Sequence, residues 1–417
     1  MKNKIIAGIF ISFLFSCSDE KNEQCSEKMI STDTNAETSC PFLTKDKNGN
    51  IALSWVKEIN DSNTVMCYAV STDKGYSFGQ SVEILPSKGV YPHGENLPKI
   101  IFKPDGEIIA VWGASNPNPH NKYSGMIYYA QSFDDGKNWS NAIPLVTDTA
   151  SNDQRYFDLG ILQNGEAGII WLDNRTKTTK EGMTLYYAST NGKNGFQNER
   201  PVAGTCCQCC RTDFFVDSKG NIHAAYRDII NDSIRDMVHI VSVDEGKTFS
   251  EPKRISPDNW VINGCPHTGP TMTENKAGLH FAWFTAGGQT GVYYCNSTDN
   301  GQNFSARQLL STEARHPQTT TLPDGIFGIA WEETVKKDSA YYSKIVLQLT
   351  NSNGQQTKQD ITADNINVGF PVLISNDEKI IVVSWVQQAN ENIKSTGHNQ
   401  HQHSKGGQVF YKMIHLE

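Results

Sequence analysis

Ser242-Val243-Asp244-Glu245-Gly246-Lys247-Thr248-Phe249 is a hairpin written in eight residues. The aspartate can accept backbone N–H bonds across the turn. The glycine tolerates positive φ, and the closing aromatic supplies an apolar anchor beneath it. The same spacing recurs at Ser71–Phe78, Ser132–Trp139 and Ser297–Phe304, with Asp73, Asp134 and Asp299 in the acidic position. Ser189–Phe196 is a degraded copy, with Asn191 where the aspartate would stand. Four copies in register mark a repeated structural unit, and the four aspartates read as turn staples.

Between these hairpins a second pattern repeats. Short apolar strands close on an aromatic residue: Ile51–Trp55, Ile108–Trp112, Ala167–Trp171, Ile222–Tyr226, Leu279–Trp283, Ile326–Trp331 and Lys379–Trp385. The closing aromatics are 48 to 59 residues apart. Turn signals such as Asn48-Gly49 and Asp105-Gly106 precede the strands, and a second strand generally follows, from Val65–Ser71 to Gln408–His415. No segment holds a helical period. A repeat of this length predicts an all-β, seven-bladed β-propeller over residues 26–417. The last strand, Val409–Leu416, is third in its unit with nothing after it. The stretch near Met29–Thr32 is therefore expected to supply the fourth and remove an exposed sheet edge.

The eight-residue hairpin resembles the Asp-box, or BNR repeat, of sialidase-like propellers. Sialidase domains of that family have six blades, which makes a six-bladed ring the alternative. The resemblance implies a set of catalytic groups: three arginines that clamp a carboxylate, an acid, and a tyrosine nucleophile. Arg155, Arg211 and Arg315 fall at the expected channel mouth, with Arg175 and Arg227 near it. Asp158 and Asp173 could be acids and Tyr156 the nucleophile. The family's Arg-Ile-Pro signature is absent; Arg254-Ile255-Ser256-Pro257 only echoes it, in an outer strand. A plainer reading pairs Arg227 with Asp228 and Arg175 with Asp173.

Propeller topology gathers the less ordinary residues on one face. Fourteen residues before the closing aromatics stand Pro41, Pro98, Phe157, Thr212, Gly269, Pro317 and Pro371, where inner strands should begin. Just before them come Cys40, His93-Gly94-Glu95-Asn96, Arg155-Tyr156, Cys206-Cys207-Gln208-Cys209-Cys210-Arg211, Cys265-Pro266-His267, Arg315-His316 and Phe370. Loops of the same face add His120, and His398, His401 and His403. Soft thiolates select Cu(I) or Zn, and imidazole suits both metals. Cys206, Cys207, Cys209, Cys210, Cys265 and His267 are thus candidate ligands for copper first and zinc second, with His398, His401 and His403 a secondary set. Structural disulfides or a redox role for the same cysteines remain open at this stage. Cys25 and Cys40 suit an N-terminal disulfide, and Cys67 and Cys295 read as buried thiols inside strands. The cysteine run and Gly264-Cys265-Pro266-His267-Thr268-Gly269-Pro270 are similar to segments of secreted bacterial Asp-box propellers, often named sialidases, for which the likeness implies an annular site and no established chemistry.

Residues 1–16 read as a signal peptide: Lys2 and Lys4, then an apolar run from Ile5 to Phe15. Leu14-Phe15-Ser16-Cys17 resembles a lipobox, which implies a lipid on Cys17 and a tether over 17–25. Ser18-Asp19-Glu20 resembles the export tag of surface lipoproteins of Bacteroidota. The expected protein is a monomeric outer-membrane lipoprotein, surface-exposed or periplasm-facing, held to the membrane through Cys17. The formal charge of −8 excludes a binder of nucleic-acid backbone, which needs clustered Lys and Arg. The functional expectations are a soft-metal site at the channel mouth, a glycoside hydrolase for acidic glycans, or a scaffold for a glycan or protein ligand.

Overall fold

The computed structural model describes residues 26–416, apart from 32, 34, 61–62, 120, 177–181, 377 and 389–406. Cys17, Cys25, His120, His398, His401 and His403 lie outside the described residues, as do the signal and tether segments. The described chain forms seven four-stranded antiparallel sheets, the blades of a β-propeller. Blade 1 is Glu37–Lys45, Ile51–Asn60, Asn63–Val70 and Val82–Ile84. Blade 2 is Lys99–Phe102, Ile108–Ser115, Gly125–Ser132 and Ile143–Pro144. Blade 3 runs from Gln154–Ile161 through Ala167–Asp173 and Met183–Thr190 to Phe196–Cys206. Blade 4 is Asp213–Val216, Ile222–Arg227, Met237–Ser242 and Lys253–Arg254; blade 5 is Thr271–Asn275, Gly278–Thr285, Gly291–Ser297 and Gln308–Ser311. Blade 6 is Ala314–Thr321, Phe327–Lys337, Ala340–Thr350 and Gln356–Asp360. Blade 7 is Asn367–Ser375, Ile380–Gln388 and Gly407–His415, completed on its outside by Lys28–Met29.

That last pairing is the expected clasp. Lys28 faces Tyr411 and Met29 faces Phe410 in antiparallel register. The core is the set of layers between blades, because each twisted sheet buries both faces against its neighbours. The closing aromatics anchor these layers: Trp112, Trp171, Trp283, Trp331 and Trp385 are fully buried, and Tyr226 takes the place in blade 4.

The Asp-box hairpins do more than close turns. Asp244 accepts bonds from Ser242 Oγ, Thr248 N and Thr248 Oγ1 at 2.7, 2.9 and 2.6 Å, while Gly246 N donates to Ser242 Oγ at 2.8 Å. Asp73, Asp134 and Asp299 repeat the pattern. The expectation that the aromatic packs under its own turn needs correction. Phe78 meets Tyr411 of blade 7 at 4.9 Å, and Phe249 meets Tyr187 of blade 3 at 5.4 Å. The box therefore fastens each blade to the one before it. A Cβ on Gly136 (φ +79°) would lie 2.1 Å from Tyr68 Oη of blade 1. Gly49 has the same backbone conformation (φ +81°) with open space around it. Gly49→Ala should cost about 1–2 kcal/mol of left-handed strain, and Gly136→Ala about 1–3 kcal/mol more from overpacking. Urea unfolding of the two variants reads the difference, and equal losses would remove the case for a blade-to-blade staple.

The rim of the channel has its own repeated geometry. Cys40, Tyr156, His316 and Phe370 occupy equivalent places in blades 1, 3, 6 and 7, and all four have φ between 48° and 54°. Each sits in a register shift of the inner strand, so the chain bulges where it enters the blade. At two of the four the bulge turns a backbone N–H toward a side chain of the preceding blade or its entry loop. Tyr156 N donates to Asn96 Oδ1 at 2.8 Å and Phe370 N to Glu332 Oε2 at 3.0 Å.

Candidate metal centre

The cysteine run lies between the outer strand of blade 3 and the inner strand of blade 4. Cys206 ends a strand, and alternation sends neighbouring side chains to opposite sides. Cys206 packs with Leu185, Tyr226 and Met183 between the blades. The other three cysteines of the run form a separate buried group with Ile229. Cys206 is thus removed from the expected ligand set by strand geometry. Cys207 N donates to Arg227 O at 2.8 Å and Gln208 Oε1 accepts from Gly182 N at 3.0 Å, which pins the turn between them.

Within that turn Cys207 Sγ is 3.5 Å from Cys209 Sγ and 3.7 Å from Cys210 Sγ. All three sulfurs lie within 4.8 Å of one another. These separations exceed the ~2.05 Å of a disulfide bond. They are close to the about 3.8 Å edge of a tetrahedron with metal–sulfur bonds of about 2.3 Å. The three residues are 1%, 4% and 1% exposed. Cys265 and His267 approach from the loop before blade 5. The Cys265 thiol hydrogen-bonds with both Cys209 and His267 and is itself exposed.

Charge accumulates at this point. Hydrogen bonds from Cys209 and Cys210, with the Arg227 and Arg235 guanidiniums nearby, hold Cys207 well below the ordinary thiol range. Arg235 Nη1 is 3.5 Å from Cys207 Sγ. Cys209 is raised as the donor to Cys207, and burial pushes Cys210 up to about 11. The Cys209 and His267 hydrogen bonds bring Cys265 down to about 5. Burial pulls His267 down, but its bond to Cys265 outweighs that and leaves it raised. Arg227 does not pair with Asp228, contrary to the plain expectation. It is buried, stacks 4.8 Å from the Trp260 ring, and donates to the carbonyls of Arg235, Thr268 and Phe284. Asp228 instead accepts from Thr205 Oγ1 and Ile229 N. A buried cation held by carbonyls favours an anionic neighbour, and the thiol group supplies one. Arg235 carries no motif in the sequence. The hint available was its position in the loop of blade 4 that shares the face of the cysteine run.

The channel mouth is closed by side chains that cross the axis. Glu95, from the loop before blade 2, reaches Arg211 Nη1 at 3.5 Å and Gly269 N at 3.0 Å. Arg211 Nη2 donates to the carbonyls of Gly269, Pro270 and Pro317, on blades 5 and 6. Both side chains are buried. Glycine is required at 269, where a Cβ would lie 2.3 Å from Arg211 O. Around this plug the rings of His93 and Tyr156 meet at 5.8 Å and those of His316 and Phe370 at 4.6 Å. Cys40 is buried at the same rim, with its thiol pushed up to about 12 by desolvation. Cys67 and Cys295 are buried inside their strands, as expected.

Residues 60–263 match the BNR repeat-like domain. The propeller thus carries a BNR repeat-like domain over just under half of its length. A search of curated proteins finds no match. Among solved structures, a protein of unknown function from Dyadobacter fermentans is 14% identical, with 94% of this chain and 98% of that one aligned and a TM-score of 0.55. The intramolecular trans-sialidase from Ruminococcus gnavus is 10% identical over 94% and 97% of the two chains, with a TM-score of 0.52. A mutant of the NanB sialidase from Streptococcus pneumoniae is 10% identical over 90% and 85%, with a TM-score of 0.50. At these identities the likeness is one of fold.

In this propeller the three arginines of the sialidase expectation have different partners. Arg155 grips Asp153 with Nε at 3.0 Å and Nη2 at 2.5 Å, and donates to Tyr123 O at 2.9 Å. Arg211 belongs to the plug. Arg315 is exposed, 5.5 Å from the Phe284 ring. Asp173 is fully buried in blade 3, where it accepts from Ser151 Oγ and Trp171 Nε1 and pairs with Arg175 at 3.4 Å, the pairing foreseen above. Asp158 is bound to Lys99 at 2.6 Å and to Phe214 N at 2.8 Å. Tyr156 is buried, and desolvation raises its phenol well above the usual range, the wrong direction for a nucleophile. Each of these groups thus has a partner of its own outside the set.

Proposed function

We propose that this propeller is a cell-envelope lipoprotein, anchored through Cys17, that holds one soft metal ion on the thiols of Cys207, Cys209 and Cys210. The observation that carries the reading is the group of three buried sulfurs with 3.5 and 3.7 Å separations, backed by Arg235 and Arg227. Copper(I) is the first choice, because a soft ion can be satisfied by three sulfurs, whereas zinc demands a fourth ligand. The two guanidiniums offset the negative charge that three thiolates leave after binding a monovalent ion. Reconstitution of the reduced protein with Cu(I) under anaerobic conditions should load about one ion per chain. Cys207→Ser and Cys210→Ser should lose it, and Cys67→Ser should keep it. Elemental analysis is the readout; native protein that retains neither copper nor zinc ends the proposal. A glycoside hydrolase reading draws on the fold alone, and a fluorogenic sialoside assay tests it.

A further inference from the structure

The three buried sulfurs pose a problem of access. At 1%, 4% and 1% exposure, none can meet a bulky donor molecule directly. One sulfur in the neighbourhood can. Cys265 is exposed on the loop that follows Trp260. Its thiol contacts Cys209 on the inside and His267 at its flank. It lies outside the mutually close group of three. The chain thus runs surface, Cys265, Cys209, then Cys207 and Cys210.

Resting on the copper reading above, we infer that Cys265, steadied by His267, is the port through which the buried site takes Cu(I) from a thiol-bound carrier. Uptake is a series of ligand exchanges. The bond from copper to a carrier sulfur breaks as a bond to Cys265 sulfur forms. Cys209 sulfur then displaces the next carrier sulfur, and the ion passes inward to Cys207 and Cys210 as Cys265 lets go. Copper stays monovalent and no electron moves. A cysteine that is still a thiol when it becomes a ligand passes its proton to the departing carrier thiolate, and one that is already a thiolate simply replaces it. A carrier with a small thiol suits the geometry, because only one protein sulfur is exposed at the port.

The test uses the full chain, reduced and anaerobic, mixed with Cu(I)–glutathione in a stopped-flow instrument and followed by thiolate-to-copper absorbance. Cys265→Ser should slow loading at least about tenfold while reaching the native end-point copper content, and His267→Ala should slow it less. Cu(I) supplied as its acetonitrile complex should load the two proteins at more nearly equal rates, because that small donor does not need an exposed thiol. Loading of Cys265→Ser from Cu(I)–glutathione at the native rate overturns the port. So does loss of end-point copper in that variant with an unchanged circular dichroism spectrum, which would make Cys265 a holding ligand. Native protein that takes up no copper from either donor overturns the metal site itself, and the port with it.

Discussion

Arg211→Met is expected to destabilise the propeller by about 3–5 kcal/mol, the usual consequence of leaving one partner of a buried ion pair uncompensated. Arg211 reaches blades 2, 5 and 6 from blade 4, through Glu95 and the carbonyls of Gly269, Pro270 and Pro317. Its removal leaves the Glu95 carboxylate buried with Gly269 N as its remaining bond at 3.0 Å. The double variant Glu95→Gln, Arg211→Met should recover part of the loss, because the orphaned charge is gone. Urea unfolding of the native, single and double variants measures both. A single variant as stable as the native protein would mean that the plug does not hold the ring, and would return Arg211 to the pool of ligand-binding candidates.

The second large effect is on acid stability. His223 Nδ1 and His239 Nε2 are 2.9 Å apart between strands of blade 4, both rings buried. Burial, and then the neighbouring His223, brings His239 down to about 3, and burial also lowers His223. A folded-state pKa below the unfolded value means the unfolded chain takes the proton first. Stability is therefore complete above the unfolded pKa and is lost as pH falls below about 6.5, until the folded group itself titrates. For His239 the loss from pH 7.5 to 5.0 is about 2 kcal/mol by this linkage. Asp213 works the other way. Burial beside Asp158 holds it at about 7, so it gains a proton in the folded state first and stabilises on acidification. The pair is isolated by difference. Between pH 7.5 and 5.0, His239→Phe should lose about 2 kcal/mol less than the native protein. Phe281 and Phe304 already frame the ring at 5.5 and 6.1 Å, so an aromatic replacement suits the site. Parallel stability profiles for the two proteins would show that the histidine pair carries no acid sensitivity.

The architecture was legible because its determinants are local and repeated. Ser-x-Asp-x-Gly hairpins and tryptophan-ended strands each state their structure within eight residues, and counting them gave seven blades and the clasp. The direction of the box aromatics was not legible, because a turn's own sequence says nothing of which blade lies beneath it. The site was legible to the level of the loop. Cys207, Cys209 and Cys210 gathered as the spacing suggested, while Cys206 left the group through strand alternation that depends on where the strand stops. The Glu95–Arg211 plug joins residues 116 positions apart across the axis, and no period connects them. Arg227 next to Asp228 invited a salt bridge, but neighbours on a strand point to opposite sides. The buried His223–His239 pair gave no signal, since its members are diagonal across two strands and each alone looks like an ordinary polar residue.

The clasp at Lys28–Met29 also sets a timetable. Thr38 Oγ1 bonds to Gln408 Oε1 at 3.0 Å and Val409 N to Thr38 Oγ1 at 2.7 Å, contacts 370 and 371 residues apart. Blades 1 to 6 can each pair their strands as the chain emerges, but the clasp cannot close until Gly407–His415 has been made. Until then, blade 7 lacks the strand that the clasp pairs with. Loop closures of this length are the slow, aggregation-exposed events of folding. A stop codon just before residue 407 would therefore do more damage than its position suggests: it would leave blade 7 with only Asn367–Ser375 and Ile380–Gln388, and take from blade 1 its Thr38 bonds to Gln408 and Val409.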